Sequence, residues 1–445
     1  MRLNRERLKP PCFKCCENRW IGSTGDDVYS VDEWTRYGDE LRRPLMVADG
    51  LREAKNILIV GAGLSGLCVA YRLAIKRPDV QIELFEKRER CGGTVETWTK
   101  DGWLCDVAVN ATRPHPSFWR LISDLGLETK FKPSNPGAST RWIHAGGRSR
   151  KLSPWMVLKQ GPFNVLRGIR SSRKGKKSVA EAMPITGVAD AMTLGIVNDV
   201  SMNVDADFLM PSMTRFGEEP PIKWSKVKRK MEQTYPLFTP QKGTTASLEG
   251  GMQTLVNALV SALESQENVR FTLEADISTP EALAAKRSQP LSSIVWCAPL
   301  DRTATEFTHL NVYAVGYTIA DSRTVPVGYG TLIPEPDAPI SGVLHESDVH
   351  ASPRAPEGHR LFRLMSPVQR GASDEDVKGS LRTYLCEAEP VMFEKIGERR
   401  IPSYPPGYMA SLSASTSEFT RASWYQSGVS ITHVVTEAER IADAV

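Results

Sequence analysis

The sequence lacks most of the features that announce a chemistry on their own. Its eight cysteines, spread over 445 residues, are too sparse for a disulfide scaffold and suit a reducing compartment. None forms a closely spaced redox pair beside the nucleotide motif described below. Cys12-Phe13-Lys14-Cys15-Cys16 contains one CxxC but no second Cys/His pair at finger spacing, so no metal site is expected. Long apolar runs are also missing. Only Asn56–Ile75 approaches the length of a membrane span, and its glycines and Arg72 read instead as strand, turn and helix. No secretory signal peptide is read. The basic start (Arg2, Arg5, Arg7, Lys9) is interrupted by Glu6 and is poorly amphipathic, which argues against a transit peptide. No acid–base pair stands out either.

What is present is concentrated in Asn56–Gly93. An apolar run, Ile57–Val60, leads into Gly61-Ala62-Gly63-Leu64-Ser65-Gly66, then into a helical pattern, then into a second strand, Gln81–Phe85, ending on Glu86. Gly61 permits the tight turn, Gly63 lets backbone approach a pyrophosphate, and Gly66 lets helix and strand pack closely. The phosphates would sit on free N–H groups at the helix N-terminus. Glu86 falls twenty residues after Gly66, where an acid accepts the ribose hydroxyls. Strand, glycines, helix, strand and acid in order predict a dinucleotide site. Arg90-Cys91-Gly92-Gly93 then resembles the R-x-G-G tail of FAD-binding oxidases and desaturases of the amine-oxidase type. Gly328-Tyr329-Gly330 lacks a third glycine and a helix. The absence of a second nucleotide fingerprint favours a flavin that takes hydride from a substrate and passes electrons to oxygen or a quinone.

The net charge is only +4, but residues 141–230 hold seventeen Lys/Arg against seven Asp/Glu. The basic residues cluster in Arg167–Lys177 and Lys223–Lys230, with Trp142, Trp155, Phe163 and Trp224 among them. Solvated loops, a surface for anionic lipid or an acidic substrate, and a nucleic-acid contact all fit this pattern. The last has no accompanying fold signature, and no nucleic-acid partner is expected.

The length allows two to three domains. Residues 1–53 read as a mobile extension outside the flavin fold. Residues 54–111 read as the first part of a nucleotide-binding domain and 112–153 as the first part of a substrate domain. Residues 154–240 form a helical, basic module. Residues 241–300 return to the nucleotide domain, with strands at Val269–Leu273 and Ser293–Cys297. Residues 301–410 return to the substrate domain, with strands within Val312–Ile333 and at Arg360–Met365. Residues 411–445 close the nucleotide domain with a helix. The fold class expected is α/β: an FAD-binding Rossmann-like domain, an α+β substrate domain and a helical, membrane-associating domain.

Further segments make the chain resemble the protoporphyrinogen/coproporphyrinogen oxidases of haem biosynthesis over roughly Asn56–Val445. Thr140-Arg141-Trp142-Ile143-His144-Ala145-Gly146-Gly147, followed by Lys151-Leu152-Ser153-Pro154, looks like the family's "N-R-aromatic … G-G … L-P" segment. Leu248-Glu249-Gly250-Gly251-Met252 looks like its turn before a helix. The runs Val325–Pro334 and Gly342–Ser347 match "P-x-x-G-aromatic-G-x-L-x-P … G-x-x-aromatic-D/E-S". Ile401-Pro402-Ser403-Tyr404 matches "I-P-Q-Y", and Ser427–Ile431 matches the "G-V-S-V" that covers the flavin.

The resemblance implies a p-hydroxybenzoate-hydroxylase-like FAD fold and a six-electron oxidation of a porphyrinogen, with molecular oxygen reduced to peroxide. Flavin contacts are implied at Gly61 to Gly66, Glu86, Lys87, Arg90, Gly92, Gly93, Thr94, Ile277, Gly428, Val429, Ser430 and Ile431. Arg141 is implied as the cation for a propionate, a role that suits its fork of donors. Tyr329, Leu332, Leu344 and Leu364 are implied as the apolar walls around the macrocycle. No catalytic side chain is expected, because the protein must mainly hold a bridging carbon ~3–3.5 Å from the flavin. The resemblance places such a protein in the cytoplasm or at the membrane surface of a bacterium, or at the inner mitochondrial membrane of a eukaryote.

The chain departs from the family at Ala108-Val109-Asn110-Ala111, where a Gly-Pro run is usual, and at Thr432-His433, where an Asp is lost. Another flavin oxidase or desaturase acting on an amine or polyene, and a homologue that binds without turnover, therefore remain open.

Overall fold

The computed structural model describes residues 19–21, 28–30, 43–112, 115–152, 162–183, 185–211, 214, 245–300 and 307–445. In chain order, β1 (Asn56–Val60), α1 (Leu64–Lys76) and β2 (Gln81–Phe85) form the first βαβ unit, followed by α2 (Pro116–Asp124). A hairpin, β3 (Arg141–Ala145) and β4 (Arg148–Lys151), leads to a helical region containing α3 (Thr186–Val197). Then come α4 (Gln253–Glu264), β5 (Val269–Thr272) and β6 (Ile294–Trp296). The strands β7 (Phe307–Thr318), β8 (Gly330–Leu332), β9 (Gly342–Leu344), β10 (His359–Pro367) and β11 (Met392–Pro402) build a second sheet. The chain closes with β12 (Thr420–Arg421) and α5 (Ile431–Ala444).

The first sheet has the order β5-β2-β1-β6-β12 and is parallel throughout. Its strands read as near-continuous apolar runs because both faces are covered. Ile57 and Ile59 point into the core made with α1, α2, α4 and α5. Leu58 and Val60 point the other way, against Phe85, Leu283, Ile294 and Trp296. Buried ion pairs tie three of these helices: Arg72 on α1 reaches Asp124 on α2 at 2.5 Å and Glu439 on α5 at 3.0 Å. Arg120 on α2 also bonds Glu439, its Nε donating at 3.0 Å.

Residues 43–53 correct one sequence expectation. They are part of this domain rather than of a mobile extension: Met46 bridges to Arg421 and Leu51 is fully buried. Closer to the start, Arg19–Ile21 pairs antiparallel with Val28–Ser30. Cys12, Cys15 and Cys16 lie outside the described residues.

The second sheet has the order β11-β7-β10-β9-β8-β3-β4. All its pairs are antiparallel except β8 with β3. Alternation gives it two distinct faces. Tyr313, Val315, Tyr317, Val343, Phe362 and Leu364 share one, covered by Val377 and Leu381 of two short helices. The opposite face carries Gly316 against Trp103, where a Cβ at Gly316 would lie 2.3 Å from the indole ring. Trp103 belongs to the hairpin Thr97–Lys100 and Trp103–Asp106, which packs on the second sheet against Ala314 and Leu361. The Val312–Ile333 stretch is interrupted: β7 ends at Thr318, a helical turn follows at Asp321–Thr324, and the chain re-enters the sheet at Gly330. The edge strand β11 went unread in the sequence because its glutamate, lysine and arginine residues break the apolar alternation.

The helical module holds Pro162–Ser172, Val179–Ala182, α3 and Ala206–Leu209. Its core joins Val179, Ala189, Val197 and Phe208 to Tyr404 and Met409. Lys223–Lys230, Trp155 and Trp224 fall outside the described residues. Among the described residues, no helix is long and apolar enough to cross a membrane.

Candidate functional site

The loop after β1 is shaped by sterics. Gly61 has φ +97°, and a Cβ on Gly66 would lie 1.9 Å from the Gly61 carbonyl oxygen. A side chain at Gly66 is therefore excluded while α1 keeps this approach to β1. Gly63 is the N-cap of α1 and offers no side-chain bond, so the N–H groups of the first turn, with Leu64 and Ser65, stay available to a phosphate. The Arg90–Gly93 turn lies directly on this loop. The Gly92 N–H donates to the Ala62 carbonyl at 2.8 Å, and a Cβ on Gly93 would come within 3.0 Å of the Gly63 Cα. The two glycine pairs thus form one narrow slot.

Glu86 ends β2 and is 7% exposed. Its Oε2 accepts from the Ala62 N–H at 2.9 Å and its Oε1 from the Arg88 N–H at 3.1 Å. Each oxygen keeps a second lone pair, so the carboxylate is fixed in place and can still accept from a ribose. Lys87 is exposed, and Thr94 is half-buried at the end of the slot. Ile277 follows Ala275, whose N–H donates to the Glu86 carbonyl at 2.8 Å, which puts it on the ribose side.

Positive charge surrounds the slot. Arg90 and Arg399 both donate to Oε2 of Glu96, each at 2.9 Å. Arg88 and Arg90 reach the Gly93 carbonyl at 3.4 Å. Burial lowers the Arg399 pKa, and Arg90 and Arg88 lower it further against the pull of Glu96. Two guanidinium groups share one carboxylate and a third, Arg88, lies beside them, which leaves a net positive field beside the phosphate position.

Asp106 explains the Gly250-Gly251 turn. This fully buried carboxylate accepts from the Met252 N–H at 2.8 Å, the Thr97 hydroxyl at 2.6 Å and Arg354 at 2.9 Å. A Cβ on Gly251 would lie 2.4 Å from the Thr97 side chain and 2.8 Å from Asp106 Oδ1. Asp106 therefore holds the start of α4, with three of its acceptor positions already taken by the protein. Beyond it, Ala108–Ala111 hangs from Arg363, which donates to the carbonyls of Asp106 and, at 2.9 Å, Ala108. Arg363 is in turn paired with the buried Glu346 at 3.1 Å. Burial alone would raise the Glu346 pKa, but Arg363, His350 and Arg354 outweigh it and hold the group at about 2.

Asn110 was not picked out from the sequence. It is 9% exposed, and its Nδ2 has no partner among the described residues. A buried donor in that state costs free energy unless something accepts from it. No sequence signal distinguished it beyond its place in the departing Ala108–Ala111 stretch. This donor, the glycine slot and the fixed Glu86 together fit a dinucleotide cofactor.

The strand registers place the substrate candidates. Gly330 pairs with both Arg141 and Leu344, Leu332 pairs with Ile143 and Gly342, and Leu344 pairs with Arg363. Arg141, Leu332 and Leu344 therefore share the sheet face that Arg363 and Met365 occupy. The Arg141 guanidinium sits over the Tyr329 ring at 4.3 Å. Among the described residues it has no carboxylate partner. Helix α3 covers Leu332 so closely that a Cβ on Gly195 would be 3.1 Å from Leu332 Cδ2. Leu364 is a correction. It pairs with Val343, is fully buried, and belongs to the opposite face. The side chain on the site face at that point of β10 is Met365.

Gly428, Val429 and Ser430 lie between β12 and α5, and Ile431 is the first residue of α5. Gly428 has φ +83°, and Ser430 is the N-cap of α5. His433 is half-buried and held neutral, its pKa pushed down to about 3 by desolvation and by Arg43 and His115 nearby.

Residues 59–125 match the model of the NAD(P)-binding Rossmann-like domain. Protoporphyrinogen oxidase of Bos taurus is 21% identical over 362 residues, 66% of this chain and 73% of that protein. Coproporphyrinogen III oxidase of Staphylococcus aureus is 30% identical over 86 residues, 19% of this chain and 18% of that one. A crystal structure of a candidate protoporphyrinogen oxidase from Exiguobacterium sp. 255-15 superposes with a TM-score of 0.62 at 16% identity, covering 88% of this chain and 98% of that one. That likeness shows the fold.

Proposed function

We propose that this chain, an amine-oxidase-like flavoprotein with FAD as its cofactor, oxidises a porphyrinogen to the porphyrin with molecular oxygen as terminal acceptor. The observation that carries this reading is Arg141. It is a half-buried guanidinium with no carboxylate partner among the described residues, stacked on Tyr329 and set in a wall with Leu332 and Leu344. A cation beside an apolar face suits a flat macrocycle that bears propionates. Bound FAD supplies the hydride acceptor. The chain's own part is to bind and orient. Arg141 takes the carboxylate, Leu332 and Leu344 line the ring face, and α3 over Leu332 limits access of water. Relatives named as protoporphyrinogen and as coproporphyrinogen oxidases both support the class.

The direct test adds protoporphyrinogen and coproporphyrinogen separately to the FAD-loaded protein in air. Porphyrin fluorescence and peroxide above the autoxidation control are expected with one of them. Flavin without porphyrin from either would move the assignment to another oxidase substrate. A protein that cannot be loaded with FAD would indicate a homologue that binds without turnover.

The helix Pro162–Ser172 supports peripheral contact with an anionic bilayer. Phe163, Leu166 and Ile169 are 85%, 50% and 46% exposed, with Arg167 and Arg170 exposed among them, the pattern of an interfacial helix. Sedimentation with vesicles containing phosphatidylserine, but not with neutral ones, is the expected outcome.

A further inference from the structure

Arg43 precedes the nucleotide motif, in a stretch whose sequence suggested no role. It is 8% exposed. Its guanidinium stacks on Phe208 at 4.0 Å, and Nη2 would lie 3.5 Å from a Cβ on Gly428. Its backbone is anchored by Arg440, which donates to the Arg43 carbonyl at 2.9 Å. Yet its Nε and Nη1 donate to nothing among the described residues.

None of the groups facing it takes a bond from Nε or Nη1 among the described residues. Asp205 is held by the N–H groups of Asp207 and Met409, and burial raises its pKa to about 6. Burial also pushes the Glu437 carboxyl well above the ordinary carboxylate range, although Arg440 and Arg43 oppose this. Tyr404 donates its hydroxyl to the Trp424 carbonyl and Tyr408 to the Tyr425 carbonyl. His433 is neutral. Arg43 itself stays charged, although burial lowers its pKa to about 10. A buried cation with idle donors is expensive, and this fold keeps one.

Sheet order shows what reaches it. The ribose acid Glu86 ends β2, on one side of the glycine loop that ends β1. On the other side lie β6 and then β12, and the chain leaving β12 runs through Gly428 to α5. A dinucleotide with its adenosine half over β2 and its phosphates on α1 must direct its other half toward β12. That brings its far end to Gly428, to the uncapped N-terminus of the 14-residue α5, and to Arg43. We propose that Arg43 is a cofactor-positioning residue that donates to the acceptor edge, the ring nitrogen and carbonyl, of the flavin pyrimidine. The charge favours electron density arriving at that edge, with the α5 N-terminus acting in the same sense.

This inference rests on the FAD reading, and the test separates the two. Apo and FAD-loaded full-length wild type, R43M and R43K are compared by thermal melting, FAD titration and sulfite affinity of the bound flavin. FAD binding by the wild type tests the cofactor alone. R43M should leave the apo melting temperature unchanged or raise it, because it removes an unpaired buried charge. It should also shrink the FAD-induced stabilisation and weaken both FAD and sulfite binding by about tenfold, the scale of a lost charge-assisted hydrogen bond. R43K should recover most of the sulfite affinity. If R43M does not retain FAD, the apo melting curves and the R43K sulfite affinity decide. An R43M protein with a lowered apo melting temperature but wild-type FAD and sulfite affinities would make Arg43 purely structural and overturn the proposal.

Discussion

The two halves of the cofactor crevice are built differently. The adenosine half comes from one contiguous stretch, Gly61–Gly93, whose defining contacts, Gly66 on Gly61, Glu86 on Ala62 and Gly92 on Ala62, all lie within it. The half that faces substrate is assembled from Arg43, Ala108–Ala111, Arg141, Tyr329–Leu344, Met365 and Gly428–Ile431. Those segments are brought together by the register of the second sheet and by two buried arginines, Arg43 and Arg363. The first half is fixed by steric necessity at glycine, the second by long-range pairing.

Substitution in the local half should have the largest effect. Gly63→Val should abolish FAD retention, because a branched side chain there would occupy the space through which a pyrophosphate approaches the loop; a normally yellow variant would refute that placement of the phosphates. The corresponding break between the halves is Asp106→Ala, which strands Arg354 in the core and should cost about 3–5 kcal/mol of stability by chemical denaturation. Arg141→Ala should weaken porphyrinogen binding by roughly 1.5–3 kcal/mol with FAD content unchanged, read as a raised KM; an unaltered KM would remove Arg141 from the site.

Acid sharpens the comparison in a different way. Glu346 behind the substrate face and Glu439 beneath the nucleotide sheet both have folded pKa values near 2 against ordinary values of 4.5. Burial opposes the shift at each, and arginines outweigh it. A depressed folded pKa contributes stability that is fully present above 4.5 and is lost as pH falls toward 2. Unfolding free energy should therefore drop across that window in both halves together, and a denaturation series flat between pH 5 and pH 2 would contradict the pairings. The smallest effect is expected from Phe163→Ser, which should reduce vesicle binding without changing turnover in detergent.

The same division governs what could be read from the sequence. The Gly61–Glu86 fingerprint names its own geometry, since Gly61 answers a positive φ and Gly66 a local clash. Arg141, Leu332 and Leu344 were found through a family resemblance, and the register confirms that they share a face. Leu364 failed because a motif match fixes a position along β10 but not which side of the pleat it occupies, and a shift of one residue reverses the face. Arg43 and Asn110 carry no local signature at all. Their significance lies in burial and in missing partners, which exist only once distant segments are folded together.

The most direct measurement is anaerobic: FAD-loaded protein is mixed with one equivalent of protoporphyrinogen or coproporphyrinogen while the visible flavin band is followed. The account predicts that the band bleaches with one of them, that oxygen restores it, and that Arg141→Ala slows the bleaching in proportion to its weaker binding. A flavin band that neither porphyrinogen bleaches would contradict the assignment of the Arg141 face as a porphyrinogen site.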